Sequence, residues 1–128
     1  MVVFVETDEI KKILNLHKLW VDGDPSGSRA NFRDFDLKDV NLRGAKLYRA
    51  LFSNTNLSGA DLQNAQLKNC DFHGANLQGA NLKNAYLVGA NLSNADLSGA
   101  NLKNANLRFA VLIGTNYEIA NLQEAKLF

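Results

Sequence analysis

The sequence lacks a dominant charge: 14 basic and 13 acidic side chains leave its 128 residues at a net charge of +1. A dedicated nucleic-acid binder would cluster Lys and Arg on one face, and a mimic of nucleic acid would be strongly acidic. The overall balance argues against both. Cys70 is the only cysteine, so no internal disulfide forms and nothing implies an oxidising compartment. No apolar stretch approaches the length that spans a bilayer. The opening run Met1-Val2-Val3-Phe4-Val5 meets Glu6 at once and lacks the basic and cleavage regions of a signal peptide. The expectation is a cytoplasmic protein with no membrane partner.

Catalytic constellations are missing too. The two histidines, His17 and His73, fall on different elements, and no set of three or four convergent metal ligands is visible. Asp36 and Asp96 share one outward column three coils apart, on the order of 14 Å, which exceeds the separation of paired catalytic carboxylates. The expectation is therefore no enzyme, no cofactor and no metal. Buried cysteine behaves as a small apolar residue, so Cys70 is read as packing.

What the chain has in abundance is a repeat. From Ala30 onward it reads in fives, as in Ala60-Asp61-Leu62-Gln63-Asn64 and Ala100-Asn101-Leu102-Lys103-Asn104. The central positions from Phe32 to Leu127 number twenty: sixteen Leu, three Phe and one Tyr. Two residues before each centre, fifteen of the twenty residues are Ala, so the interior takes one large and one small side chain per five. The first four positions alternate as a half-buried strand does, and the fifth breaks the alternation. Gly or Asn holds thirteen of the nineteen fifth positions, as positive φ at a type II corner requires. A helix is excluded, because a period of five leaves no fixed apolar face on a 3.6-residue wheel. Phe32, Phe52 and Phe72 recur every twenty residues, which predicts four sides per coil, about five coils and a rod roughly 24 Å long.

This A(D/N)LXX pattern resembles the pentapeptide-repeat family over Ala30 to Phe128, about three quarters of the chain. The resemblance implies an all-β solenoid, a right-handed quadrilateral β-helix, and a family abundant in cyanobacteria. Some members bind DNA gyrase as mimics of duplex DNA. That role needs an acidic rod, whereas residues 30–128 carry ten basic and eight acidic side chains.

Residues 1–29 do not repeat and are read as a cap, residues 30–128 as the β-helix. Thr7-Asp8-Glu9 supplies a helix start, Ile10, Ile13, Leu14, His17 and Trp20–Val21 follow at helical spacing, and Asp22-Gly23-Asp24-Pro25-Ser26-Gly27 stops it. Such a helix would cover the strand edges and core of the first coil. Trp20 is read as packing. At the other end the last coil departs from the pattern with Phe109, Val111, Ile113, Tyr117 and Ile119, and the sequence ends at Phe128. Two readings stay open: a homodimer meeting end to end through these residues, or bulky side chains that plug a monomer.

Outward apolar residues mark the other departures. Tyr48, Leu51, Tyr86 and Val88 stand on sides otherwise made of Asn, Ser, Lys and Asp, and form the candidate partner surface. Arg43, Lys83 and Lys103 line a mildly basic column with Gln63 and Gln123, read as a solvated face. The expected function is a non-catalytic protein–protein interaction, scaffold or regulatory module with an unidentified protein partner. The alternative is a DNA-mimic modulator of gyrase, disfavoured by the charge. Because one narrow interior carries the fold, Leu82→Ala is expected to cost roughly 3–5 kcal/mol in chemical denaturation.

Overall fold

The computed structural model describes residues 3–4 and 7–128; of the apolar opening run, all but Val3 and Phe4 lie outside it. Each pentapeptide makes one short straight segment. The residue before each centre bridges to its equivalent twenty residues on, always in parallel, from Asn31↔Leu51 through to Asn106↔Lys126. A twenty-residue turn of four pentapeptides is thus a closed square. Its sides are named here by their first centres, the Phe32, Leu37, Leu42 and Leu47 sides.

The backbone groups of each segment point along the rod to the turns before and after. The Leu82 N–H donates to the Asn101 carbonyl at 2.7 Å, and the Asn81 N–H donates to the Ala60 carbonyl at 2.9 Å. Between segments the chain bends sharply, and the Ala85 N–H closes the bend on the Leu82 carbonyl at 2.9 Å. The third residue of that bend, Asn84, has φ 60°. All nineteen corners share this left-handed backbone, seven with Gly and twelve with other residues. Gly74 is needed twice over, since an added Cβ would also collide with the Asn54 side-chain oxygen one turn below.

The bore is filled by the centres and the residues two before them, mostly Ala, which are buried from Ala30 to Leu107 except for the partly buried Phe35, Val40 and Ala45 under the cap end. Phe32, Phe52 and Phe72 stack as expected, with ring centroids 5.1 and 4.9 Å apart and planes within 14°. Where Ala is replaced by a polar residue, the hydrogen is used locally. The Thr55 hydroxyl donates to the Phe32 carbonyl at 2.8 Å, and the Cys70 thiol donates to the Leu47 carbonyl at 2.8 Å. Burial pushes the Cys70 thiol up to about 12, so it is held as an unreactive thiol.

Helix α1, Thr7–Val21, lies over the start of the rod, with Asp8 and Glu9 in its first turn and Lys18 in its last. Ile10, Ile13 and Leu14 pack against the core. Strand β1, Val3–Phe4, pairs in parallel with strand β2, Phe35–Asp36, on the first turn's edge. His17 is the latch. It is fully buried, and its Nδ1 accepts the Ala30 N–H at 2.9 Å, which places the imidazole proton on Nε2. Among the described residues, that Nε2 is the one buried side-chain polar atom with no partner. Trp20 lies 5.4 Å from the His17 ring, and the Arg29 guanidinium sits 5.9 Å over Trp20.

Two consequences can be measured. Ile119 occupies a corner at φ 51°, a conformation that β-branched residues tolerate poorly. Ile119→Asn is expected to raise the urea midpoint by about 1 kcal/mol of stability, at unchanged denaturant slope. The second concerns pH. Desolvation holds the His17 imidazole below its ordinary 6.5; a backbone interaction with Tyr48 opposes this, and the Arg29 charge adds to it. The unfolded chain then takes up a proton that the native one refuses, so this contribution is complete above pH 6.5 and is lost as pH falls toward the native value. Melting temperatures from pH 7.5 down to pH 5 are expected to fall less in His17→Gln than in the wild type.

Candidate functional site

An outward side-chain bond braces fourteen of the twenty segments of the rod, and its absence gathers on one side. Wherever Asn or Asp precedes a centre, its Oδ1 accepts the backbone N–H two residues on. Asn81 thus holds the Lys83 N–H at 3.1 Å, Asn101 the Lys103 N–H at 3.1 Å, and Asp96 the Ser98 N–H at 2.9 Å. The Ser98 backbone N–H also keeps the Asp96 carboxyl below the usual carboxylate range. The outward Asn residues are therefore structural brackets, as Asx turns are.

Six of the twenty segments have no such residue: Lys46, Leu51, Gln66, Tyr86, Val111 and Lys126 stand there instead. Four of the six, Lys46, Gln66, Tyr86 and Lys126, lie on the Leu47 side, where Asn106 alone keeps the bracket, to the Arg108 N–H. The Leu37 and Leu42 sides keep it at every segment. The Leu47 side thus gives up about 1 kcal/mol per missing hydrogen bond at four segments, the Phe32 side at two (Leu51 and Val111), and the Leu37 and Leu42 sides at none.

A shallow groove of about 510 Å³ runs across this side, lined by Tyr48, Asn64, Gln66, Lys68, Asn84 and Tyr86. The Tyr48 hydroxyl donates to Gln66 Oε1, which fixes both side chains in the wall. Tyr86 is 40% exposed on the far wall. Lys68 stands between the tyrosines in the column that also holds Val88. A second depression of about 300 Å³ shares Tyr48 and reaches the cap through Arg49, Trp20 and Val21. Trp20 is thus half-buried against the cap and also borders this side.

Of the four residues expected to form the partner surface, the structure brings Tyr48 and Tyr86 into one groove. Val88 lies on the same side, half-buried. Leu51 stands on the adjacent Phe32 side, half-buried between Asn31 and Asp71 in the ladder. The residues expected at the end contact sit on the last turn: Phe109, Ile113 and Ile119 are 85%, 78% and 91% exposed, and Val111, Tyr117 and Phe128 are exposed beside them. Below them, Leu97, Leu102, Leu107, Leu112, Tyr117, Leu122 and Leu127 line a cavity of about 100 Å³. Sequence reasoning singled out the Arg43–Lys83–Lys103 column and passed over Lys46, Gln66 and Lys68. Sorting the residue before each centre by a period of twenty would have found the Leu47 side, because the missing Asn repeats there. The His73 ring Nδ1 lies 2.8 Å from the Ser93 hydroxyl, and no group that could hold a metal ion occurs among the described residues.

The five-residue repeat agrees with comparison to known proteins. The family model for pentapeptide repeats matches eight copies, covering residues 28–64, 36–74, 75–108 and 100–127. The chain belongs to the pentapeptide-repeat family and has its right-handed quadrilateral β-helix. It is similar to a pentapeptide repeat protein of the Arabidopsis thaliana thylakoid lumen at 35% identity and a TM-score of 0.69, over 70% of this chain and 63% of that one. It is also similar to the pentapeptide repeat protein Rfr23 of the cyanobacterium Cyanothece 51142, at 32% identity and a TM-score of 0.55, over 80% of this chain and 63% of that one. The chain thus spans less than two thirds of the length of either. Among curated proteins none matches it.

Proposed function

We propose that this chain is a non-catalytic binding module: a rigid rod of five turns that offers its Leu47 side to a protein partner. The observation that carries this reading is the distribution of the Asn brackets. A repeat selected only to fold would keep the bracket on all four sides. Here four of five segments on one side replace it with Lys, Gln or Tyr, and the groove lies there. Loss of local stability at a surface is a common accompaniment of binding function. The backbone supports the same role, since inter-turn hydrogen bonds hold the groove walls and little ordering entropy remains to be lost on binding.

Gyrase mimicry is the weaker reading. It needs a rod with acid on its surface, and the outward residues of the Leu47 side include four cations and no acid, with Arg49 on one bordering corner and Glu124 on the other. No helix is long and apolar enough to cross a membrane among the described residues, which leaves compartment open to a direct localisation experiment.

The test is affinity capture from a lysate of the encoding organism, with wild type and Tyr86→Glu/Val88→Lys as parallel baits. The expected result is a protein retained by wild type and depleted about tenfold or more by the variant, with both baits melting at the same temperature. Equal recovery on both baits would remove the Leu47 side from the function. Gyrase subunits retained equally by both would favour the mimic.

A further inference from the structure

The net charge of +1 conceals a segregation that appears only when charges are sorted by side. The outward positions and outgoing corner of the Leu47 side carry Lys46, Arg49, Lys68, Arg108 and Lys126, half of the ten cations in residues 30–128. Its only acid is Glu124, on the corner shared with the Leu42 side. The opposite Leu37 side and its corners carry Asp34, Asp36, Asp39, Asp96 and Glu118 against the single cation Lys38. The rod therefore has one basic and one acidic side, facing in opposite directions across a bore of Leu and Ala. From Lys46 to Lys126 the basic side runs four turns, about 19 Å at strand spacing. A low-dielectric body between the two sides limits their mutual cancellation, so each side presents its own potential to a partner within a Debye length.

We propose that the Leu47 side docks an acidic, extended protein segment. This rests on the reading of that side as the binding face and adds the chemistry of what it binds. Lys68, between the two tyrosines, takes a carboxylate. Tyr48 and Tyr86 bracket an apolar side chain next to it, and the amides of Asn64, Gln66 and Asn84 offer donors and acceptors to the segment's backbone. Lys46, Arg49, Arg108 and Lys126 steer the remaining acidic residues from both ends. Single-stranded nucleic acid fits less well. It is held on successive exposed aromatic faces, whereas Tyr86 is the one exposed ring in the groove and the Tyr48 hydroxyl is tied to Gln66.

The experiment measures fluorescence anisotropy of the full chain with a short labelled peptide of alternating Glu and Leu. A Gln–Leu peptide and an oligothymidine are the comparison probes. The Glu–Leu peptide is expected to bind tightest, with affinity falling as salt rises. Lys68→Glu is expected to weaken it about tenfold or more, and Lys83→Glu on the neighbouring Leu42 side less than about twofold. Tyr86→Asn restores the bracket to the Val88 N–H, so this variant should melt higher than wild type yet bind the peptide more weakly. Equal losses from Lys83→Glu and Lys68→Glu would overturn the proposal, as nonspecific charge attraction. Tighter binding of oligothymidine through Lys68 would overturn it in favour of nucleic acid. Should the peptide fail to bind while the Tyr86→Glu/Val88→Lys variant still loses a captured partner, the acidic class falls and the binding face stands.

Discussion

Everything in this protein depends on backbone hydrogen bonds that run between turns. In the inner turns, the N–H of each centre donates to the next turn and the N–H of the residue before it donates to the previous one, as at Leu82 and Asn81. These bonds form only if every turn takes twenty residues, because a slip of one would reverse which side chains point into the bore. Twenty residues close a square only if the chain bends at every fifth residue. That bend is what forces positive φ at all nineteen corners, including corners occupied by Arg49, Phe109, Ile119 and Glu124. The ladder therefore tolerates strained residues that would leave a left-handed conformation if they stood alone. The bore follows from the same square: it admits one large and one small side chain per segment, so Leu with Ala recurs and three stacked Phe rings fill one side.

Most of this was legible in the residues, since an architecture built from one repeated rule writes that rule many times. The period of five, the inward Leu and Ala, the Gly and Asn corners and the stack of Phe32, Phe52 and Phe72 all follow from pattern alone. The helix from Thr7 to Val21 was legible for a different reason, its cap and helical spacing. His17 was not. Its role as an acceptor for the Ala30 N–H depends on how the helix settles on the first turn, and a lone His on a helix carries no sign of that. The strand pairing of Val3–Phe4 with Phe35–Asp36 is likewise a tertiary contact with no repeat to announce it.

The candidate site was half legible. Tyr48, Tyr86 and Val88 stand out as apolar residues on polar sides, and three of the four expected residues share the Leu47 side. Leu51 does not, because a corner lies between position 48 and position 51 and turns it to the adjacent side. The basic residues of the Leu47 side were harder to see than Arg43, Lys83 and Lys103. Those three fall in one column after the centre, whereas Lys46 and Lys126 precede a centre, Lys68 and Arg108 follow one, and Arg49 is a corner. A reading column by column divides them. Only the square cross-section puts them on one surface.

The distribution of brackets separates what the repeat needs from what the surface was given. An Asn before a centre satisfies a backbone N–H, needs no partner outside its own segment, and occurs at every segment of the Leu37 and Leu42 sides. Charge on those sides must be carried by the residues around it, or by Asp in place of Asn, which bonds in the same way. Acid therefore accumulates on a bracketed side without loss, as at Asp36, Asp61 and Asp96. Lysine, glutamine and tyrosine do not form this bracket here, so a cation or an aromatic ring can stand before a centre, as Lys46, Tyr86 and Lys126 do, only by giving a bracket up. That asymmetry explains why the acidic side of this rod looks like ordinary repeat while the basic side looks irregular. The irregularity marks the side whose composition departs from what the repeat alone requires.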